Sequence, residues 1–211
     1  MSDEPWVFGY GSLMWRPGFP FAERIPATLP GRRRAFCIYS VHHRGAYERP
    51  GLVLGLAPGG STRGVAYRIA AEAWPDVHAY LLEREQPTET YIEGRRAVRL
   101  ADGRVVDCTV FLSDVRHPQW AGPLTMERQA ELIAGARGVY VRHPQWAGPL
   151  TLERQAELIA GAKGVSGRNV DYLRDLVEHL EAEGIRDRSM ETLLGLVEGI
   201  SSPPARPRGR G

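Results

Sequence analysis

Apolar and polar positions divide this chain into two unlike stretches. Up to about residue 114 the apolar residues come in short runs rich in aromatic and β-branched side chains, bounded by glycine and proline, which is the pattern of strands. PWVFGYGSL holds the first, Arg34 to Val41 (RAFCIYSV) a second and Leu52 to Pro58 (LVLGLAP) a third. Arg63 to Ile69 (RGVAYRI) makes a fourth, with Gly59-Gly60 expected to turn the chain between the last two. Arg95 to Leu100 and Val105 to Leu112 form two more, joined by the turn signal Ala101-Asp102-Gly103-Arg104. One helix interrupts them. In AEAWPDVHAYLLEREQ, Val77, Tyr80 and Leu81 recur at helical spacing, Pro75 suits the first turn, and Pro87 stops the helix just beyond Glu85.

The second stretch is helical. TMERQAELIAGA places Met126, Ala130, Ile133 and Ala134 on one face, and GRNVDYLRDLVEHLEAEG does the same with Val170, Leu173, Val177 and Leu180 before ending at Gly184. SMETLLGLV adds Met190, Leu193, Leu194 and Val197. Strands followed by helices predict an α+β fold, not an alternating α/β one. Residues 1–200 read as a single domain, and the tail 201–211 (SSPPARPRGRG) as a disordered end with almost nothing to bury.

The second stretch opens on a repeat. Residues 115–140 are followed at once by a copy, 141–166, offset by 26 residues and differing only at Met126/Leu152, Arg137/Lys163 and Tyr140/Ser166. Two copies are too few for a solenoid. A fold with one slot for a loop and an amphipathic helix has two candidates for it. The spare copy is left to pack outside, to stay mobile, or to make a homodimer by pairing its apolar face (Met126, Ile133, or Leu152, Ile159) with that of a second chain. The repeat also makes His117 and His143 resemble a ligand pair, although they are copies of one residue without a suitable third ligand. His42-His43 is no better, because neighbouring side chains on a strand point apart.

Composition narrows the class. In 211 residues, 43% are apolar and 25% charged, as in ordinary globular proteins, and the net charge of +2 argues against a nucleic-acid partner. Two cysteines, Cys37 and Cys108, make no disulfide framework or metal spacing. No apolar run reaches the ~20 residues of a membrane helix. MSDEPW lacks the pattern of a secretory leader, so a cytoplasmic location is expected.

The candidate chemistry lies in two places. VFGYGSLMW breaks a strand on Gly9 and Gly11, which allows either a turn or the close approach of a ligand to the main chain. Ser12 is not in a nucleophile elbow, and G-x-G alone is a weak signal of phosphate binding. Within YLLEREQPTETY, the carboxylates Glu83, Glu89 and Glu93 read as a solvated face. Glu85 differs: the C-terminal end of a helix disfavours negative charge and raises a carboxylate's pKa, as would an apolar pocket. Such a group is poised for proton transfer near neutral pH.

VFGYGSLMWRP, RRAF, HHRG, RGVAYRI, YLLERE and SGRNVDYL, in this order and spacing, resemble the ChaC-type γ-glutamylcyclotransferases over about residues 6–114 and 141–198. The resemblance implies a small, mostly antiparallel β-barrel with flanking helices concentrated in the C-terminal third. It further implies cleavage of glutathione to 5-oxoproline and cysteinylglycine, without metal or organic cofactor. The γ-glutamyl pocket falls on Tyr10, Gly11, Ser12, Leu13 and Met14, with Gly9 beside them; the catalytic glutamate falls on Glu85; and the closing block falls on Gly167, Asn169, Tyr172 and Leu173, with Tyr172 near the substrate. Two alternatives stay open. One is the same ring closure on other γ-glutamyl amines or amino acids. The other is a non-catalytic γ-glutamyl-binding module inactivated by the duplication.

Overall fold

The computed structural model describes residues 4–40, 50–85, 90–121, 151–161, 163–164 and 167–201. Five strands close into a barrel in the order β1-β3-β2-β4-β5: β1 (Trp6–Gly9), β2 (Glu23–Ser40), β3 (Gly51–Arg68), β4 (Tyr91–Leu100) and β5 (Val105–Ser113). All pairings are antiparallel except β1 with β5, which closes the barrel in parallel through Trp6↔Cys108 and Val7↔Thr109. Closure removes the sheet edges that would otherwise invite aggregation. All four residues of β1 are buried, as its continuous apolar run requires.

The long β2–β3 pair corrects one expectation. Gly59-Gly60 does not end a strand; β3 runs through both glycines, which carry positive φ, opposite a register shift between Pro30 and Arg32 of β2. The pair of glycines bends the ribbon instead of reversing it, the role of a bulge. A second register shift falls between Phe36 and Ile38, leaving Cys37 as the extra residue.

Helix α1 (Trp74–Glu85) buries Val77 and Leu81 and ends at Glu85. The remaining helices are α2 (Leu152–Gly161), α3 (Asn169–Ala182) and α4 (Arg188–Ser201), with the two-residue strands β6 (Lys163–Gly164) and β7 (Gly167–Arg168) between the first two. Val170, Leu173, Val177 and Leu180 are buried on α3, and Met190, Leu193 and Val197 on α4, where the periodicity places them. Gly184 follows α3 with positive φ, the left-handed stop expected of glycine. An α+β barrel with helices gathered in the C-terminal third is therefore what the chain forms.

The duplication is used in an unanticipated way. Residues from the start of the first copy dock on β2: Tyr39 N–H donates to the Gln119 carbonyl at 2.9 Å, Ala121 N–H to that of Cys37 at 2.7 Å, and Trp120 packs on Cys37, Ile38 and Ala57. The helix that enters the core, α2, comes from the second copy, with Ala156 and Ile159 fully buried. The described residues thus draw the docking segment from one copy and the helix from the other. The helix expected in the first copy, with Met126 and Ile133, lies outside the described residues, as do His42-His43, His143, Glu89 and the tail beyond Ser201.

Candidate active site

β1 delivers the chain into a single turn of 3-10 helix (Ser12–Met14). Each carbonyl from Tyr10 to Met14 has a donor. Arg34 Nε reaches the Tyr10 oxygen at 2.8 Å, and Met14 N–H the Gly11 oxygen at 2.8 Å. Trp15 and Arg16 N–H meet that of Ser12, while the Tyr67 hydroxyl lies 2.9 Å from the Leu13 oxygen and Arg24 Nη2 donates to that of Met14 at 3.3 Å. Among the described residues, no acceptor is bonded to the N–H groups of Gly11, Ser12 and Leu13. In a trans peptide C=O and N–H point in opposite directions, so the Tyr10 carbonyl held by Arg34 turns the Gly11 N–H the other way. Successive unpaired amides of this kind make a concavity for anions.

The glycines are explained by close approach. A Cβ on Gly9 would sit 3.1 Å from Leu13 Cβ and 3.4 Å from Met14 N, and one on Gly11 would sit 3.0 Å from Leu54 Cδ2. Gly9 therefore lets the turn fold back on its own strand, where it pairs with Val65. Leu13 and Met14 bury their side chains in the core, so both offer the pocket main chain only.

Glu85 ends α1 with its side chain 18% exposed, and its Oε1 lies 3.2 Å from Arg84 Nε. Burial pushes its pKa up, and the Arg84 guanidinium pulls back against that rise. Arg84 also crosses to the glycine turn. It donates to Ser12 Oγ at 3.0 Å, to the Arg16 carbonyl at 2.6 Å, to that of Pro17 at 3.1 Å and to the Tyr80 hydroxyl at 2.8 Å. Glu85 is thereby fastened beside the turn; Glu83 and Glu93 stay on the outside, the latter paired with His78.

Three tyrosines complete the cluster. Tyr10 donates its hydroxyl to the Phe111 carbonyl at 3.0 Å, and Tyr91 to the Leu54 carbonyl at 2.6 Å. Burial drives both phenols well above their ordinary range, with Glu85 and Tyr172 contributing to the field at each. Tyr172, on α3, packs its ring edge-on against Phe36 with centroids 5.7 Å apart. The bulged Cys37 lies close enough to act on Tyr10 and Tyr91, and burial pushes its thiol up to about 12, leaving it an unreactive neutral group. Tyr10, Ser12, Glu85 and Tyr172, taken from the sequence, converge here.

Arg34, Tyr67 and Tyr91 escaped the sequence reading as parts of this assembly, whereas Asn169 was placed in the closing block with Tyr172 but without a role. Asn169 is fully buried and mimics a strand: its Oδ1 accepts from Leu52 N–H and its Nδ2 donates to the Leu52 carbonyl, both at 2.7 Å. That clamp on β3 sets the start of α3 and so the height of Tyr172, one turn further on. The block SGRNVDYL carried this signal, but nothing local distinguishes a strand-mimicking asparagine from a cap. Among the described residues, no group of three His, Cys, Asp or Glu side chains is placed to hold a metal ion. None of the described helices is long and apolar enough to cross a membrane.

Known proteins are similar to this chain in sequence and fold. The family described as "ChaC-like protein" matches residues 5–141 and again 139–200, the overlap falling inside the duplication. A glutathione-specific γ-glutamylcyclotransferase of Escherichia coli (strain K12) is 36% identical over 195 residues, covering 92% of this chain and 73% of that one. γ-Glutamylcyclotransferase 2-3 of Arabidopsis thaliana is 34% identical over 205 residues, covering 93% and 90%. The crystal structure of a glutathione-specific γ-glutamyl cyclotransferase from yeast has the same fold, with a TM-score of 0.72 at 24% identity over 94% of this chain and 97% of that one. This chain belongs to the ChaC-like family.

Proposed function

We propose that this protein cleaves glutathione by cyclotransfer, releasing 5-oxoproline and cysteinylglycine. The substrate's own α-amine attacks its γ-carbonyl carbon, forming the C–N bond of a five-membered lactam while the C–N bond to cysteine breaks. Holding the γ-glutamyl group folded gives this attack a high effective molarity. Of the three hydrogens on the α-ammonium, one stays on the lactam nitrogen and two end on the departing amine. Glu85 is the shuttle: as general base it takes a proton from the attacking nitrogen, and as general acid it returns one to the leaving nitrogen. The open N–H groups of Gly11, Ser12 and Leu13 supply donors to the substrate's carboxylate, and Tyr10, Tyr91 and Tyr172 wall the site from water.

The observation that carries this reading is the position of Glu85. A carboxyl held up in pKa by burial is tied through Arg84 to the glycine turn. A reduced cytoplasm, where free thiols persist, suits both the substrate and the two unpaired buried cysteines. The test is incubation of wild type and Glu85→Gln with glutathione, 5-oxoproline being quantified in each. Wild type should release it and the variant should not; a variant as active as wild type would remove Glu85 from the chemistry. A parallel assay with γ-glutamylalanine measures how far the leaving group matters.

A further inference from the structure

One buried guanidinium holds the Tyr10–Gly11 peptide from behind. Arg34 lies on β2 with its side chain 2% exposed. Besides the Tyr10 carbonyl, it donates through Nη2 to the Arg63 carbonyl at 2.6 Å, with Met14 Sδ 3.9 Å away. Its Nη1 meets Asp187 Oδ2 at 2.8 Å. Asp187 immediately precedes α4, and its other oxygen accepts from Met190 N–H at 3.3 Å, capping that helix. A single carboxylate thus joins the α3–α4 turn to the guanidinium, and the guanidinium joins β2 and β3 to the glycine turn.

Burying a charge is costly, and an aliphatic side chain filling the same space would avoid that cost. What the arginine adds is direction. Its planar fork fixes the Tyr10 carbonyl and the Asp187 carboxylate at once, which a lysine ammonium cannot do. Because the Tyr10–Gly11 peptide is planar and trans, pinning its oxygen on Arg34 turns the Gly11 N–H away from Arg34 and onto the open face of the turn.

We propose that Arg34 and Asp187 are positioning residues for substrate: Arg34 sets the Tyr10–Gly11 peptide so that the Gly11 N–H receives the γ-glutamyl carboxylate, and Asp187 anchors Arg34 from the C-terminal helices. This rests on the γ-glutamyl reading of the site. It makes the α3–α4 turn, remote from the reacting atoms, a determinant of affinity.

The test is steady-state turnover of glutathione by Arg34→Lys, Asp187→Asn and the double variant, with thermal melts. Asparagine still caps α4, so Asp187→Asn removes the anchor and keeps the helix start. In each single variant KM should rise about tenfold, the loss of one charge-assisted hydrogen bond, with kcat held within about twofold. The double variant should be no worse than Arg34→Lys, because the two act in series. A merely structural role lowers the folded fraction: kcat then drops at constant KM, and that result, or an unchanged KM, overturns the proposal. If Arg34→Lys does not fold, Asp187→Asn decides alone by the same criterion. If wild type releases no 5-oxoproline, the γ-glutamyl reading fails. The relay is then judged from the Gly11 amide resonance, which moves in Asp187→Asn if Arg34 orients that peptide and stays put if it does not.

Discussion

Arg84 Nη2 donates to Ser12 Oγ at 3.0 Å, joining residues 72 apart in sequence. The same guanidinium faces Glu85 through Nε, so one side chain sets both the loop and the carboxylate. Its charge also holds the Glu85 pKa below where burial alone would carry it. Arg84→Gln should therefore do two separable things. Loss of the staple to Ser12, Arg16 and Pro17 should lower kcat/KM for glutathione by about a hundredfold, the scale of a displacement near 1 Å at a reacting centre. Loss of the charge should move the acid limb of the pH–rate profile to higher pH, because Glu85 would stay protonated longer. An acid limb that does not move would detach Arg84 from the titration.

Glu85 should cost the fold stability at neutral pH. Its folded pKa lies above the unfolded value of about 4.3, since burial raises it more than Arg84 lowers it. Between those two values the folded chain binds more protons than the unfolded one, so stability falls as pH rises through this window and stays lower above it. Glu85→Gln abolishes that titration. Relative to wild type the inactive variant should be more stable at pH 8 than at pH 4, read from urea unfolding at both. Equal differences at the two pH values would mean that the carboxylate is not desolvated.

What was legible in the sequence follows the range of the interaction that decides each feature. Glu85 and the glycine turn stood out because a proline-stopped helix and a strand broken by glycines are local patterns. The faces of α3 and α4 did so for the same reason. Gly59-Gly60 was misread because a glycine pair usually reverses the chain, and only the shift on β2 opposite makes it a bend. Arg34 opened the expected strand RAFCIYSV, and nothing local marked its side chain as buried. The partners that draw it inside lie 24 residues before it, at Tyr10, and 153 after it, at Asp187. Tyr91 follows a stretch rich in carboxylates, and its hydroxyl finds the Leu54 carbonyl only once the barrel closes.

Asn169 offers a sharper test of the link between α3 and β3. Asn169→Asp keeps the shape but exchanges the donor facing the Leu52 carbonyl for a second oxygen. With the Leu52 N–H still satisfied, the cost is one lost donor and a buried repulsion, roughly 3 kcal/mol at pH 7. The introduced carboxyl would have a folded pKa above its unfolded one, because only its protonated form can donate. Its penalty should therefore shrink as pH falls, and a loss of stability independent of pH would point to misplaced packing instead.

The duplication makes its own prediction. The two copies are identical from Val115 to Thr125 and from Val141 to Thr151, so removing 122–147 and removing 115–140 give the same polypeptide. In it the docked segment ending at Trp120 and Ala121 runs directly into GPLTLERQAELIAGA, and every described contact of β2 with 115–121 and of α2 with the core keeps its residues. Glu85, the glycine turn, Arg34 and Tyr172 all lie outside the excised stretch. The shortened chain should fold with a Tm within a few degrees of the parent and turn over glutathione at a comparable rate, checked by thermal melt and 5-oxoproline release. Removing 141–166 instead leaves Met126, Arg137 and Tyr140 where Leu152, Lys163 and Ser166 now stand. Since Leu152 is partly buried against the core and a leucine-to-methionine exchange is a mild one, that chain should fold as well. Collapse of both shortened chains would show that the extra 26 residues are built into the fold rather than carried by it.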